Sequence, residues 1–228
     1  MIFGILAAVL AVLIYLPSFW VRRVMGFYSA ERSDIPGTGG ELASHLIKRF
    51  ELDGIAVEET DPMRDHFDPG APAVRLSPEN FHGKSLTAVA VAAHEVGHAI
   101  QFHRNEQIFK LRARYLPLAT ALNRSGIALM WTIPLIGIFL RAPFALAIVV
   151  GLSLLLQLAG AMAYLIILPE EWDASFNKAL PILIEGEYVE PEKIPAVKRI
   201  LKAAALTYFA AALANVLNIG RWFMILRR

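Results

Sequence analysis

Ala142–Pro169 reads APFALAIVVGLSLLLQLAGAMAYLIILP, twenty-eight residues without a charged side chain. A helix of that length rises about 42 Å, more than the roughly 30 Å hydrocarbon core of a bilayer, so the stretch can cross a membrane with tilt. Three further uncharged blocks lie outward from it: Ser125–Leu140 of sixteen residues, Ala203–Gly220 of eighteen, and Met1–Val21, closed by Arg22-Arg23. The sixteen-residue block is short for a span and needs a thinned bilayer or snorkelling flanks. At the first block the basic pair follows the apolar run instead of preceding it, which predicts a retained anchor and not a cleaved signal peptide. The count predicts about four spans in a mainly α-helical, multi-pass chain.

Composition narrows the possibilities around those blocks. Hydrophobic residues are 56% of the 228 and charged residues 18%, with a net charge of +2. No basic face alternates with aromatics, so a nucleic-acid partner is not expected. Cysteine is absent, so any zinc site must be built from histidine and carboxylate.

Between the first two apolar blocks lies a polar, mixed region, 22–124. Ser33–Gly40 reads as a glycine-rich linker, and Glu41-Leu42 stand where a phosphate loop would carry Lys and Ser or Thr. Leu42, Leu46, Ile47 and Phe50 recur at helical spacing over 41–52, and Ile55–Val57 has the character of a short strand. Asp68-Pro69-Gly70 predicts a turn between short strands at His66-Phe67 and Ala73–Leu76. Such an exposed strand pair could receive an extended peptide. Ser85 suits the N-cap of a helix from Leu86 to about Phe102, whose first eight residues are small and apolar all round, the mark of a helix packed on every side.

That helix carries His94-Glu95-Val96-Gly97-His98. Residues four apart are about 400° round an α-helix, so the two imidazoles project from one face and can bind one tetrahedral zinc ion. Glu95 can reach a water on the metal and take its proton as general base, an arrangement suited to peptide-bond hydrolysis. From the chain's own His and Glu content the pattern would arise by chance roughly 0.01 times. Two surface histidines at helical spacing are the plain alternative, and Gly97, which leaves room for a neighbouring backbone, counts against it. His103 falls on the opposite helix face, and Gln101 and Arg104 depart from the extended three-histidine pattern. His45, His66 and His82 read as hydrogen-bonded structural residues. The third zinc ligand must come from elsewhere. Two spans separate His98 from Glu170-Glu171-Trp172-Asp173, and an even number of crossings returns the chain to the side it left, so this acidic cluster supplies the candidates.

Two runs carry a resemblance. One is Asp65–Pro69, Val74–Ser77 and Ala90–Gln101; the other is Leu168–Ser175, with a Glu two residues before Asp-Ala-Ser. Together they resemble the YugP-type family of neutral zinc metallopeptidases, over most of the chain. The resemblance implies an integral-membrane zinc peptidase related in plan to HtpX-like and CAAX-processing zinc proteases. It implies His94 and His98 as ligands, Glu95 as base and Glu171 as third ligand. A thermolysin-like pattern would place Asp four residues after the ligand Glu, where this chain has Ser175, so the residue orienting a histidine ligand is left open, with Asp173 as candidate.

The domain organisation expected is a first transmembrane helix (1–21), a metallopeptidase region with a small α+β element (22–124), a transmembrane hairpin (125–169), a third-ligand segment (170–202), and a last transmembrane helix with a basic tail (203–228). Lys and Arg number thirteen in 22–124 and five in 169–202, against four on the opposite side (Arg141, Arg221, Arg227 and Arg228). That bias predicts a cytoplasmic active site. Expected partners are a membrane-associated peptide or protein substrate and the lipid bilayer. The function predicted is a zinc metalloendopeptidase, against a zinc-binding membrane scaffold without turnover; a transporter would want ionisable groups inside the spans.

Overall fold

Small apolar side chains between Ser85 and Gly97 allow other elements to close on a single helix from all sides. In the computed structural model, which describes residues 2–139 and 143–216, that helix is the fourth of ten. The order is α1 (Ile2–Phe27), α2 (Gly39–Arg49), β1 (Ala56–Glu59), β2 (His66–Asp68), β3 (Ala73–Leu76), α3 (Pro78–Phe81), α4 (Leu86–His103), α5 (Lys110–Trp131), α6 (Ile133–Phe139), α7 (Pro143–Ala163), α8 (Leu168–Trp172), a π-helical turn (Asp173–Ala179), α9 (Leu180–Glu185) and α10 (Ile194–Val216). The chain is thus mainly helical with one small sheet. Arg141, the end of the 203–220 block and the basic tail with Arg221, Arg227 and Arg228 lie outside the described residues.

Trp20–Lys110 and Pro169–Leu206 form one compact unit. Ser85 caps α4 by accepting the Ala88 amide at 3.0 Å, and every residue from Leu86 to Gln101 is buried. Thr87 ties its first turn to the end of α1 by donating to the Met25 carbonyl at 2.9 Å. α2 begins two residues earlier than expected. Thr38 and Glu41 form a reciprocal capping box there, a T-x-x-E signal that the linker reading of Ser33–Gly40 passed over.

The sheet has the order β1-β3-β2, with β1 parallel and β2 antiparallel to β3. Asp68 makes the predicted turn by accepting from the Gly70 amide at 2.8 Å. That bond, helped by Arg75, holds its carboxyl below the usual carboxylate range. Ala73–Leu76 is the central strand, so a further strand could add only at β1 or β2. Phe67 of β2 is buried and packs on Phe102 at 5.3 Å between ring centroids, one helical turn beyond His98.

The described residues of Met1–Phe19, Leu111–Leu168 and Thr207–Arg228 form the other unit. α5 and α7 touch through small residues. A Cβ at Gly126 would lie 2.8 Å from the Ser153 carbonyl oxygen, and one at Gly160 would lie 2.9 Å from that of Ala119. Ser153 donates to the Gly126 carbonyl at 2.7 Å, and the buried Gln157 donates to Ser153 Oγ at 3.1 Å. Close backbones and side chain-to-backbone bonds of this kind hold helices together where no hydrophobic drive separates helix from lipid. Ser18 likewise donates to the Ala210 carbonyl at 2.6 Å.

Among the described residues, Pro143–Ile166 and Pro191–Val216 are long and apolar enough to cross a membrane. Phe144, Ile148, Leu152 and Leu155 form an exposed stripe along the first of these. The described part of the second block, 125–139, is not a helix of its own. Its first part continues α5, which begins at Lys110, and the helix breaks at Thr132. Pro134 has no amide for the Met130 carbonyl, which accounts for the break. Of the 1–21 block, residues 2–21 lie within the 26 residues of α1.

Candidate metal centre

One turn of α4 places His94 and His98 side by side, with ring centroids 4.8 Å apart and planes at 80°. Glu171 reaches both from α8. Its Oε2 lies 3.4 Å from His94 Nε2 and 3.2 Å from His98 Nε2. All three side chains are buried, and their donor atoms lie within 4.8 Å of one another. A tetrahedral zinc with bonds of about 2.0–2.1 Å spaces its donors by about 3.3 Å. The separations of 3.4 and 3.2 Å match that edge. Two imidazole nitrogens and a carboxylate converging where water is excluded are costly to bury without a cation, so the donor set fits a divalent metal. Three protein donors leave a tetrahedral ion one open position, as catalytic zinc sites do.

The other candidates occupy different places. Glu95 is buried at the next position after His94 and is not one of the three grouped donors. Glu170 is fully buried, but its Oε1 lies 3.7 Å from His98 Nδ1, on the ring edge facing away from Glu171. Asp173 meets neither histidine. It accepts from Gln101 Nε2 at 2.8 Å and Asn177 Nδ2 at 2.8 Å, and pairs with Lys178. Burial alone would raise the Asp173 carboxyl; hydrogen bonds from Lys178, Gln101 and Asn177 outweigh it, and the group is held below the ordinary range. His45, His66 and His82 are bonded to Tyr188 Oη, the Arg64 carbonyl and Glu59 respectively.

Two contacts were not anticipated. Ser175 Oγ lies 2.9 Å from His94 Nδ1, and Gln101 Oε1 lies 2.9 Å from His98 Nδ1. Ser175 stands at the position where the thermolysin-like pattern has Asp, so a hydroxyl takes the place left open there, and Asp173 acts one bond further out. Gln101 follows His98 by three residues, about 300° round the helix, so its nearness was legible from phase alone.

The π-helical turn brings this about. Helical bonds widened to i→i+5 are rare and recur at functional sites. Here they carry Asp173, Ser175 and Lys178 directly after Glu171. Gly97 lets that backbone close on α4: a Cβ there would lie 2.6 Å from the Ala174 carbonyl oxygen.

Comparison with known proteins agrees with the site. The family model described as "Putative neutral zinc metallopeptidase" matches residues 3–227. A protein of Bacillus subtilis (strain 168), named "Putative membrane protease YugP", is 32% identical over 216 residues, covering 91% of this chain and 91% of that protein. No solved structure matches. With a match over nearly its whole length and a buried His94, His98 and Glu171 group able to hold one metal ion, the chain belongs to this family of neutral zinc metallopeptidases.

Proposed function

We propose that this protein is an integral-membrane zinc metalloendopeptidase, with about four spans and its active site on the cytoplasmic side. The observation that carries the reading is the convergence of His94 Nε2, His98 Nε2 and Glu171 Oε2 beside a buried Glu95 that is not among the donors. A structural site has no need of such a base. Glu171 follows the apolar helix Pro143–Ile166 by five residues, which supports a site near the bilayer surface and substrates that are membrane-bound or emerging from it. The excess of Lys and Arg in the polar blocks supports the cytoplasmic side.

In this reading zinc, when bound, polarises the scissile carbonyl and makes a water more acidic. The Glu95 carboxylate takes the proton from the attacking water as the new C–O bond forms. It returns that proton to the amine nitrogen as the C–N bond breaks. His94, His98 and Glu171 hold the metal and take no proton.

The test is zinc content and peptide cleavage by the purified protein in detergent. One zinc per chain is expected, with cleavage of a membrane-anchored peptide inside its sequence. Both should be lost in His94→Ala and Glu171→Ala. Glu170→Ala should keep zinc. Zinc retained by both His94→Ala and Glu171→Ala would overturn the site, and zinc without cleavage of any peptide would favour the scaffold.

A further inference from the structure

We propose that Gln101 is a positioning residue of the metal site, setting which nitrogen of His98 faces the metal, and that its own direction is set by the Glu170 carbonyl and by Asp173, which is backed by Lys178 and Glu106. The inference rests on the metal-site reading but not on turnover.

The argument is one of counting protons. A glutamine amide has an oxygen that only accepts and a nitrogen that only donates. The nitrogen end of Gln101 faces two acceptors, the Glu170 carbonyl at 3.0 Å and the Asp173 carboxylate at 2.8 Å. A flipped amide would set its oxygen against both, so the orientation is fixed by the network. The oxygen end then faces His98 Nδ1 at 2.9 Å, and that nitrogen must carry the ring proton. The lone pair is left on Nε2, the atom 3.2 Å from Glu171 Oε2.

Ser175 gives His94 the same tautomer by a different route. Its hydroxyl has one proton, and the Leu201 carbonyl, which can only accept, lies 3.1 Å away. Towards His94 Nδ1 the hydroxyl therefore accepts. Both rings are presented with Nδ1–H outward and Nε2 toward Glu171.

The two supports differ in what stands behind them. Ser175 is anchored on a backbone carbonyl. Gln101 is anchored on the Glu170 backbone carbonyl and also on a carboxylate, which is paired with Lys178, which in turn lies 2.8 Å from Glu106 just beyond the end of α4. Gln101 is fully buried, so its amide cannot exchange these partners for water. The bond to His98 is thus supported by a backbone carbonyl and by a chain of charges beginning three residues after α4 ends.

Two measurements on the full chain in detergent test this. One is zinc affinity by competition with a chelator. The other is ¹⁵N NMR of the histidine rings after chelator treatment, which reports the protonated nitrogen directly. In the parent, His98 should be protonated at Nδ1. Gln101→Leu, which keeps the volume and removes the acceptor, should weaken zinc binding by about 10–100-fold and give His98 a mixture of tautomers, with His94 unchanged. Asp173→Ala leaves Gln101 in place and covers the case in which the leucine variant fails to fold. It should weaken zinc binding several-fold and shift His98 in the same direction. Nε2–H on His98 in the parent, or parent-like affinity and tautomer in both variants, would overturn the proposal. A parent that held no zinc would defeat the metal-site reading, while the ring spectra would still decide this one.

Discussion

Glu95→Gln should keep its zinc and lose proteolysis by about 10²–10⁴-fold, the range that a positioned general base contributes. Glutamine has the same shape, so packing at this buried position changes little. It has no carboxylate, so it cannot take the proton from water. The metal should stay, because the three grouped donors are His94, His98 and Glu171. In energy the loss is about 3–5 kcal/mol of transition-state stabilisation, at 1.36 kcal/mol per decade. The measurement pairs elemental zinc with kcat on any peptide that the parent cuts. Unchanged kcat would remove Glu95 from the mechanism, and loss of zinc would make it a ligand.

Gly97→Ala should abolish tight zinc binding without touching a ligand. Two effects oppose one another at this position. Alanine is the better helix former by about 1 kcal/mol, which alone would stabilise α4. Against it, the new Cβ would stand 2.6 Å from the Ala174 carbonyl oxygen and 3.2 Å from its Cα. These are backbone atoms that cannot swing aside, and forced overpacking costs about 1–3 kcal/mol. Sterics win, and the backbone that must yield runs between Glu171 and Ser175, so the displacement falls on one of the three grouped donors and on the hydroxyl bonded to His94. We expect zinc affinity to fall by at least about 100-fold, with a lower unfolding midpoint in detergent. A variant that binds zinc like the parent and melts later would show that the two backbones have slack.

Much of the polar unit was legible where the deciding chemistry is local. The α4 start at Ser85, its all-round burial and the pairing of His94 with His98 follow from residues within one helix. So does the turn at Asp68-Pro69-Gly70. The helix break at Thr132 was also legible in principle, since Pro134 removes the bond to the preceding turn. What was missed depends on distant partners. The parallel pairing of β1 with β3 is set by where the chain returns after β2, and nothing within Ala56–Glu59 specifies it. The roles of Gln101 and Ser175 needed the register between α4 and a segment more than seventy residues on. The π turn that sets this register leaves no compositional trace in Asp173–Ala179. Glu171 came by resemblance, because side chains alone did not separate it from Glu170 or Asp173.

The separation of 73 residues between His98 and Glu171 also bears on biosynthesis. At about 5–20 residues per second, a ribosome needs about 4–15 s to go from one to the other. During that interval α4 exists without Glu171, and the group of three donors is incomplete. On the proposed reading, a nascent chain would be silent as a protease until Glu171 has been made. Ribosome-stalled chains ending before Glu171 should carry no tightly held zinc, and those extended past Leu201 should acquire it. Tight zinc on the shorter chains would dispose of this timing.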